Sequence, residues 1–214
     1  MHKRFNPLSF GLFDVLPRVI VRGRARVLGF FSGVRFHKLG RLSKIRGAQG
    51  IFVGQRVSVG DFCWIEAVFS YAGARFCPRL ELKDGVSLSD STHISCVLQV
   101  TIGENCMIGS KVYIGDHSHG SLADPSELFS KSPAHRLLGD VAAIHIGKNT
   151  WICDGAVILA GTRLADNSIV GANSVVKLQT ERPALIAGAP AKVIRFLDQA
   201  EAADPVEPLP AAPV

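Results

Sequence analysis

Aliphatic residues recur at every sixth position along most of this chain. A helix repeats its apolar face about every 3.6 residues and a half-buried strand about every 2, so a period of six fits neither element. A short period sustained over this length indicates a solenoid of stacked coils, here a parallel β-helix built from hexapeptides. The aliphatic positions are Val53, Val59, Ile65, Leu82, Leu88, Ile94, Ile102, Ile108, Ile114, Ile146, Ile152, Ile158, Leu164, Val170 and Val176.

Three hexapeptides form one triangular coil of eighteen residues, and this number separates Ile146 from Leu164 and Ile152 from Val170. Each aliphatic side chain would then stack on its equivalent in the next coil, about 4.8 Å away. A β-sandwich does not keep its phase over such a distance, so an ordinary sandwich is disfavoured. The fifteen aliphatic positions, taken in threes, predict an all-β fold of about five coils within residues 47–196.

Two interruptions of the period predict loops that project from the prism. Ile65 and Leu82 are 17 residues apart, which predicts a loop at 66–81. Ile114 and Ile146 are 32 residues apart, which predicts a longer excursion at 115–145. Long loops on a rigid scaffold often carry function, so both are candidates for a functional site.

The remaining composition describes one domain with two extensions. Hydrophobic residues make up 47% of the 214 residues, and no apolar run is long enough to span a membrane. Cations interrupt residues 1–46 too often for a signal peptide. Cys63 and Cys106 occupy a small inward position four residues after an aliphatic one, so both are expected to be buried thiols. This use of cysteine favours the reducing cytoplasm.

The charge of the chain is concentrated at its amino-terminal end. Residues 1–46 contain eleven Lys or Arg and one acid, whereas the formal net charge of the whole chain is +6. This basic arm either caps the open end of the prism or lies on an anionic membrane, and the two roles are compatible. No nucleic-acid recognition motif accompanies the charge, so nucleic acid is not an expected partner. The tail 197–214 is mainly Ala, Pro and acids, and is expected to be disordered.

Histidines mark the point where the longer loop leaves the prism. His117 and His119 lie in the phrase YIGDHSHG beside the carboxylate of Asp116. Counting coils makes Ile94 and Ile114 stacked equivalents, which places His93 one coil below Tyr113. Imidazole titrates near neutrality, so a histidine at the mouth of a loop is a good candidate for a general base. The other histidines have no such context and are expected to be ordinary surface or turn residues.

The repeats, the phrase IGKNTWI after the longer loop, and the closing AGAPAKVIR (187–195) resemble the left-handed β-helix acyltransferases. The resemblance spans about residues 50–196. The phrase YIGDHSHG is similar to that of bacterial polysaccharide and lipopolysaccharide O-acetyltransferases of the colanic-acid type. The resemblance implies a left-handed coil, a homotrimer with sites between neighbouring prisms, acetyl-CoA as donor, no metal, and a sugar or glycan acceptor.

The same resemblance implies roles for individual residues. The catalytic histidine of the maltose and galactoside acetyltransferases falls on His119, with His117 as the alternative because Gly120 replaces the proline that follows in those enzymes. Proximity along the sequence, rather than the resemblance, makes Asp116 or Glu127 a candidate to orient the imidazole. Trp151 matches a tryptophan near the pantetheine arm of the donor. The cations expected near the phosphates of CoA are Lys177, Lys192 and Arg195, and the residues expected to contact the acceptor are His93, Tyr113 and Glu127.

Two other functions are compatible with these residues. Left-handed β-helices include the γ-type carbonic anhydrases, and His93, His117 and His119 could form their three-histidine metal site. The ending AGAPAKVIR favours CoA instead. A non-catalytic β-helix that acts as a scaffold is the second alternative.

Overall fold

The computed structural model describes residues 23–27, 29–30, 33–121 and 126–198. In these residues, short strands form three parallel sheets that wrap into a triangular β-helix, as the six-residue period predicts. The left-handed sense of its coils is the one that the family resemblance implies. Sheet A contains β1 (Lys38–Leu39), β4 (Ser58–Val59), β9 (Ser87–Leu88), β12 (Met107–Ile108), β17 (Trp151–Ile152), β20 (Ile169–Val170), β22 (Ala184–Gly188) and the antiparallel β23 (Ala191–Phe196).

Sheets B and C complete the triangle. Sheet B contains β2 (Lys44–Arg46), β5 (Trp64–Ala67), β10 (His93–Cys96), β13 (Tyr113–Gly115), β18 (Val157–Leu159) and β21 (Val175–Val176). Sheet C contains β3 (Ile51–Val53), β8 (Arg79–Leu82), β11 (Gln99–Ile102), β16 (Ile144–Ile146) and β19 (Arg163–Leu164).

Two antiparallel hairpins project from the prism, and short helical segments accompany the sheets. The hairpin strands are β6 (Ser70–Tyr71) with β7 (Ala74–Arg75), and β14 (Ser118–His119) with β15 (Leu138–Gly139). The helical segments are residues 23–27 and 29–30, an α-helix at Ser126–Ser130, and 3-10 turns at Ala48–Gly50 and Pro133–His135.

The aliphatic side chains stack in register inside the prism. Ile65, Ile94, Ile114, Ile158 and Val176 are successive partners across sheet B, and all five are fully buried. The predicted eighteen-residue equivalences between β16 and β19 and between β17 and β20 are confirmed. Each stack removes apolar surface from water, and every Å² buried stabilises the folded state by about 25 cal/mol. These columns are therefore the main source of stability.

The β-helix begins earlier in the chain than the expectation of about five coils implies. Leu39 on β1 of sheet A and Ile45 on β2 of sheet B extend the aliphatic pattern in front of Val53, so sheet B has six strands while sheet C has five. The β-helix therefore starts at β1, inside the segment 1–46 that was expected to form the arm. The 3-10 turn Ala48–Gly50 lengthens the first coil by two residues, and this shift of phase hides the coil from a strict six-residue count.

Small inward residues fill the space between the stacks. Cys63 and Cys106 are buried, as predicted, and burial raises the pKa of the Cys106 thiol to about 11. The hydroxyl of Thr92 donates to the carbonyl oxygens of Ser89 and Gly109, so a polar group is satisfied inside the prism. These positions accept only compact side chains, which explains their composition.

The termini of the chain lie largely outside the described residues. Residues 1–22 and 199–214 are among those not described, so the expectations of a capping or membrane-bound arm and of a disordered tail stay predictions. Within the described part, none of the helices is long and apolar enough to cross a bilayer.

Candidate active site

Both insertions leave the prism at one edge, where the strands of sheet B run on toward sheet C. We call this edge the BC corner. The shorter insertion, residues 68–78, joins β5 to β8, and the longer one, residues 116–143, joins β13 to β16. The coil between them turns the same corner through Val97 and Leu98, between β10 and β11. The two loops predicted from breaks in the period therefore leave the same edge, with a single coil between them.

Asp116 is a buried carboxylate at the centre of the BC corner. Its Oδ2 accepts hydrogen bonds from the backbone N–H groups of Leu98 and Gln99 at 2.8 and 2.9 Å, and its Oδ1 accepts one from Val97 at 2.9 Å. The side chain is fully buried. Three consecutive backbone donors directed at one carboxylate compensate for the removal of the charge from water.

His117 completes this network. Its Nδ1 lies 2.9 Å from Oδ1 of Asp116, and its side chain is 8% exposed. Burial alone would raise the pKa of Asp116, but the hydrogen bonds from His117, Val97 and Leu98 outweigh it and hold the pKa below its ordinary value. An ionised carboxylate only accepts hydrogen bonds, so Nδ1 of His117 carries the proton. The hydrogen-bond partners of Asp116 are thus His117, the alternative base, and the backbone, and the role of Asp116 as an orienting group for His119 stays a prediction.

His119 lies on β14 in the longer insertion and is exposed. Its imidazole ring contacts the ring of Tyr71 edge-on, with centroids 5.2 Å apart and planes inclined by 68°. Tyr71 belongs to the hairpin of the shorter insertion, so the two loops meet at this histidine. Of the two candidate bases, His119 is the exposed one and His117 is shielded and anchored.

His93 and Tyr113 lie on the outer face of sheet B, next to the corner. His93 stacks on Trp64 with centroids 4.6 Å apart and meets Tyr113 edge-on at 5.3 Å, which confirms that His93 and Tyr113 are neighbours in successive coils. Nε2 of His93 is buried and has no hydrogen-bond partner. Burial lowers the pKa of His93, opposed by the nearby charge of Glu66.

Residues near the expected acceptor site include one that sequence reasoning missed. Glu66 accepts a hydrogen bond from Nε1 of Trp64 at 2.9 Å and lies opposite Ser95 in the next coil. It sits inside the range 66–81 that was expected to be loop, whereas β5 extends to Ala67. The side chain of Glu127 is outside the described residues; its backbone belongs to the helix Ser126–Ser130.

The residues expected to bind the donor fall in two places. Trp151 is 45% exposed on sheet A, and its column continues through Ile169 and Leu185 to Arg195. Lys192 lies on the same terminal strand, β23, opposite Ala187. Lys177 follows β21 of sheet B and therefore lies near the BC corner, away from the others. The structure brings Trp151, Lys192 and Arg195 onto one face and separates Lys177 from them.

The three histidines of the carbonic anhydrase alternative have separate surroundings. His93 packs between two rings, His117 binds Asp116, and His119 contacts Tyr71. Over the described part of the chain, no group of three or more His, Cys, Asp or Glu side chains has the arrangement of a metal site.

Comparison with known families agrees with the repeat pattern. The family described as bacterial transferase hexapeptide (six repeats) matches residues 143–177, and the hexapeptide repeat of succinyl-transferase matches residues 99–115. The chain is 32% identical over 143 residues to the putative acetyltransferase SAV2555 of Staphylococcus aureus strain Mu50, covering 56% of this chain and 70% of that protein. The chain belongs to the hexapeptide-repeat acetyltransferases.

Two further proteins are similar to this chain, one in sequence and one in fold. It is 40% identical over 115 residues to the putative lipopolysaccharide biosynthesis O-acetyl transferase WbbJ of Escherichia coli K12, which covers 53% of this chain and 58% of that protein. The chain thus spans less than two thirds of the length of WbbJ. A structure of AntD, an N-acyltransferase from Bacillus cereus, superposes with a TM-score of 0.56 at 14% identity over 72% of this chain and 77% of that one. This likeness concerns the fold alone.

Proposed function

We propose that this protein is an O-acetyltransferase that moves an acetyl group from acetyl-CoA to a sugar hydroxyl during the synthesis of a surface polysaccharide or lipopolysaccharide. Membership of the acetyltransferase family and the name of WbbJ support this proposal. The observation that carries it is the exposed imidazole of His119 at the meeting point of two insertions. An exposed base between two loops can reach a bound acceptor.

In the proposed mechanism, His119 is the general base. A neutral sugar hydroxyl is a poor nucleophile, so the imidazole removes its proton as the oxygen attacks the thioester carbonyl carbon of acetyl-CoA. Backbone N–H groups stabilise the resulting oxyanion. The carbon–sulfur bond then breaks, and the CoA thiolate takes the proton from the imidazolium. The products are the acetyl ester of the sugar and free CoA, with the histidine neutral again.

The donor would lie along sheet A. The indole of Trp151 offers an apolar surface for the pantetheine arm, and Lys192 and Arg195 on β23 offer cations for the phosphates. Sheet A is the face of the triangle opposite the BC corner, so His119 and Trp151 of one chain face away from each other. This opposition favours a homotrimer in which His119 of one chain and Trp151 of a neighbour contact the same donor. In that trimer, Lys177 lies near the BC corner and would contact the donor that is bound on sheet A of the neighbouring chain.

The acceptor would lie at the BC corner beside sheet B. The carboxylate of Glu66 offers hydrogen-bond acceptors to sugar hydroxyls, and His93 and Tyr113 add an aromatic wall. Glu127 is also proposed to contact the acceptor, and its place in the longer insertion is the one observation behind this role.

The basic segment 1–46 would bring the enzyme to an anionic surface at the inner face of the cell membrane, where a lipid-linked acceptor is made. Each cation near such a surface contributes roughly 1 kcal/mol. Cosedimentation with vesicles containing phosphatidylserine, compared with neutral vesicles, tests this part. Equal recovery of the protein with both vesicle types would contradict binding to an anionic membrane surface.

Release of CoA from acetyl-CoA, measured with a panel of sugars, nucleotide sugars and glycolipids, tests the activity itself. The wild type is compared with His119→Ala and His117→Ala. We expect His119→Ala to lower kcat by about 10²–10⁴-fold, the usual effect of losing a general base. His117→Ala should act mainly through stability, because its partner is the structural carboxylate of Asp116. Normal turnover in His119→Ala with loss in His117→Ala would reassign the base to His117.

A further inference from the structure

The hairpin of the shorter insertion is a rigid element. Its strands β6 and β7 pair Ser70 with Arg75 and Tyr71 with Ala74. The two residues between them, Ala72 and Gly73, have φ angles of 47° and 85°, which is the backbone of a tight type I′ turn. Such a turn follows the natural twist of the strands, so the hairpin holds a fixed shape at the BC corner.

Tyr71 uses this hairpin to contact the longer insertion at two points. Its ring meets the imidazole of His119 edge-on at 5.2 Å. Its hydroxyl donates a hydrogen bond of 2.8 Å to the carbonyl oxygen of Ala134, in the 3-10 turn Pro133–His135. The ring of Tyr71 is therefore fixed at its root by the hairpin and at its tip by the neighbouring loop.

His119 needs such support. It is exposed and lies on a strand of two residues, β14, whose one strand partner among the described residues is β15 of the same insertion. A side chain in this position has several rotamers, and a base acts only from the one that faces the acceptor hydroxyl. The edge-on ring contact restricts the imidazole without using either of its nitrogen atoms as a hydrogen-bond partner.

We propose that Tyr71 is a positioning residue that holds the imidazole of His119 in its working orientation. This inference rests on the proposed role of His119 as the base. Tyr71 does not exchange protons in the reaction: its hydroxyl is engaged by Ala134, and its ring supplies the contact. The shorter insertion is thus part of the catalytic apparatus, because it restrains a residue that the longer insertion carries.

The test compares Tyr71→Leu, Tyr71→Phe and the control Arg75→Ala, which alters an exposed residue of the same hairpin. Two quantities are measured: kcat and KM for acetyl-CoA with the best acceptor of the panel, and the rate at which diethyl pyrocarbonate modifies His119, followed by peptide mass spectrometry. The second quantity needs no substrate. His119→Ala is assayed in parallel.

We expect Tyr71→Leu to lower kcat by about 10-fold, since a small misplacement of a catalytic group has effects of this size or larger. KM for acetyl-CoA should stay unchanged, and modification of His119 should become several-fold faster because the ring that contacts its imidazole is gone. Tyr71→Phe keeps the ring and loses the bond to Ala134, so its effects should be smaller in the same direction. Arg75→Ala should match the wild type.

The outcomes separate this inference from the proposed function. If His119→Ala is inactive while Tyr71→Leu keeps both the wild-type kcat and the wild-type modification rate, the positioning role is wrong and the base assignment stands. If His119→Ala keeps normal turnover, the base assignment is wrong and the positioning role fails with it. A change in Arg75→Ala equal to that in Tyr71→Leu would point to the hairpin as a whole and would also overturn the role of Tyr71.

Discussion

The regular coils and the BC corner differ in which groups they bury and in the interactions that stabilise those groups. In the coils at 146–176, fully buried aliphatic residues stack on one another, and the small polar side chains between them bond to backbone carbonyls. At the corner, the interior contains an ionised carboxylate, Asp116, held by three backbone N–H groups and by His117. The first region is stabilised mainly by apolar burial, whereas the second depends on specific hydrogen bonds to a charged group.

This difference shows how a repetitive scaffold can carry a unique site. The regular coils all follow the same spacing of buried aliphatic residues, so repetition alone cannot distinguish one corner from the next. Asp116 does distinguish this corner: its backbone N–H also bonds to Ser95, and its carbonyl oxygen accepts from Ala142, where the longer insertion returns. The start and the end of the insertion are thereby tied to the coil below.

The largest expected change in stability comes from the regular region. Ile152 is fully buried in β17 between Ile108 and Val170. Ile152→Ala should lower the free energy of unfolding by about 2–5 kcal/mol, because it removes buried methyl groups and leaves a cavity. Urea denaturation at one fixed protein concentration measures the change, since association would add its own contribution.

The matched control is Ile194→Ala on the terminal strand β23, where the side chain is 59% exposed. Its effect should lie within about 0.5 kcal/mol of the wild type. Equal losses in the two variants would show that stacking inside the prism is not what stabilises the coils.

A smaller change, of a different kind, is expected at the corner. In Asp116→Asn, an amide replaces the carboxylate, and its NH₂ group cannot accept hydrogen bonds from the backbone N–H groups. The expected loss is about 1–3 kcal/mol, the usual cost of leaving buried polar groups without partners. Thermal unfolding near pH 7 measures it, and Asp154→Asn at an ordinary corner, where one oxygen accepts a single backbone bond, is the comparison.

The pH dependence of stability, compared between the wild type and Asp116→Asn, isolates the role of the Asp116 charge. The folded state holds the pKa of Asp116 below its unfolded value, so its contribution is present above the unfolded pKa, about 4, and is lost as the pH falls through the folded pKa. The difference in stability between the wild type and Asp116→Asn should therefore shrink on acidification. A constant difference from pH 7 down to about pH 2 would contradict an ionised carboxylate.

The sequence predicts the scaffold well because each coil repeats the same physical rule. The spacing of the aliphatic residues is sufficient to place His93 next to Tyr113, and to locate both insertions at 66–81 and 115–145. It fails at the first coil, where the turn Ala48–Gly50 shifts the phase and hides Leu39 and Ile45. The six-residue spacing can be recognised only where no extra residues, such as those of the turn Ala48–Gly50, change the distance between aliphatic positions.

The site is less predictable because its contacts are not periodic. Proximity along the chain suggested that Asp116 serves His119, but the direction of the backbone after β13 turns the carboxylate toward the coil below and toward His117. Tyr71 is 48 residues from His119 in the sequence, and no spacing rule connects a hairpin tip to the next loop. Its place in a short turn-containing segment, SYAGAR, was the only signal available.

A crystal structure of the protein with bound CoA tests the central claim most directly, namely that the BC corner is where the chemistry occurs. We predict that the CoA sulfur lies within about 4–5 Å of the imidazole of His119, close to the distance of reacting groups, with the pantetheine arm on Trp151 of a neighbouring chain. CoA bound along another edge of the prism, with its sulfur remote from both His119 and His117, would contradict the account.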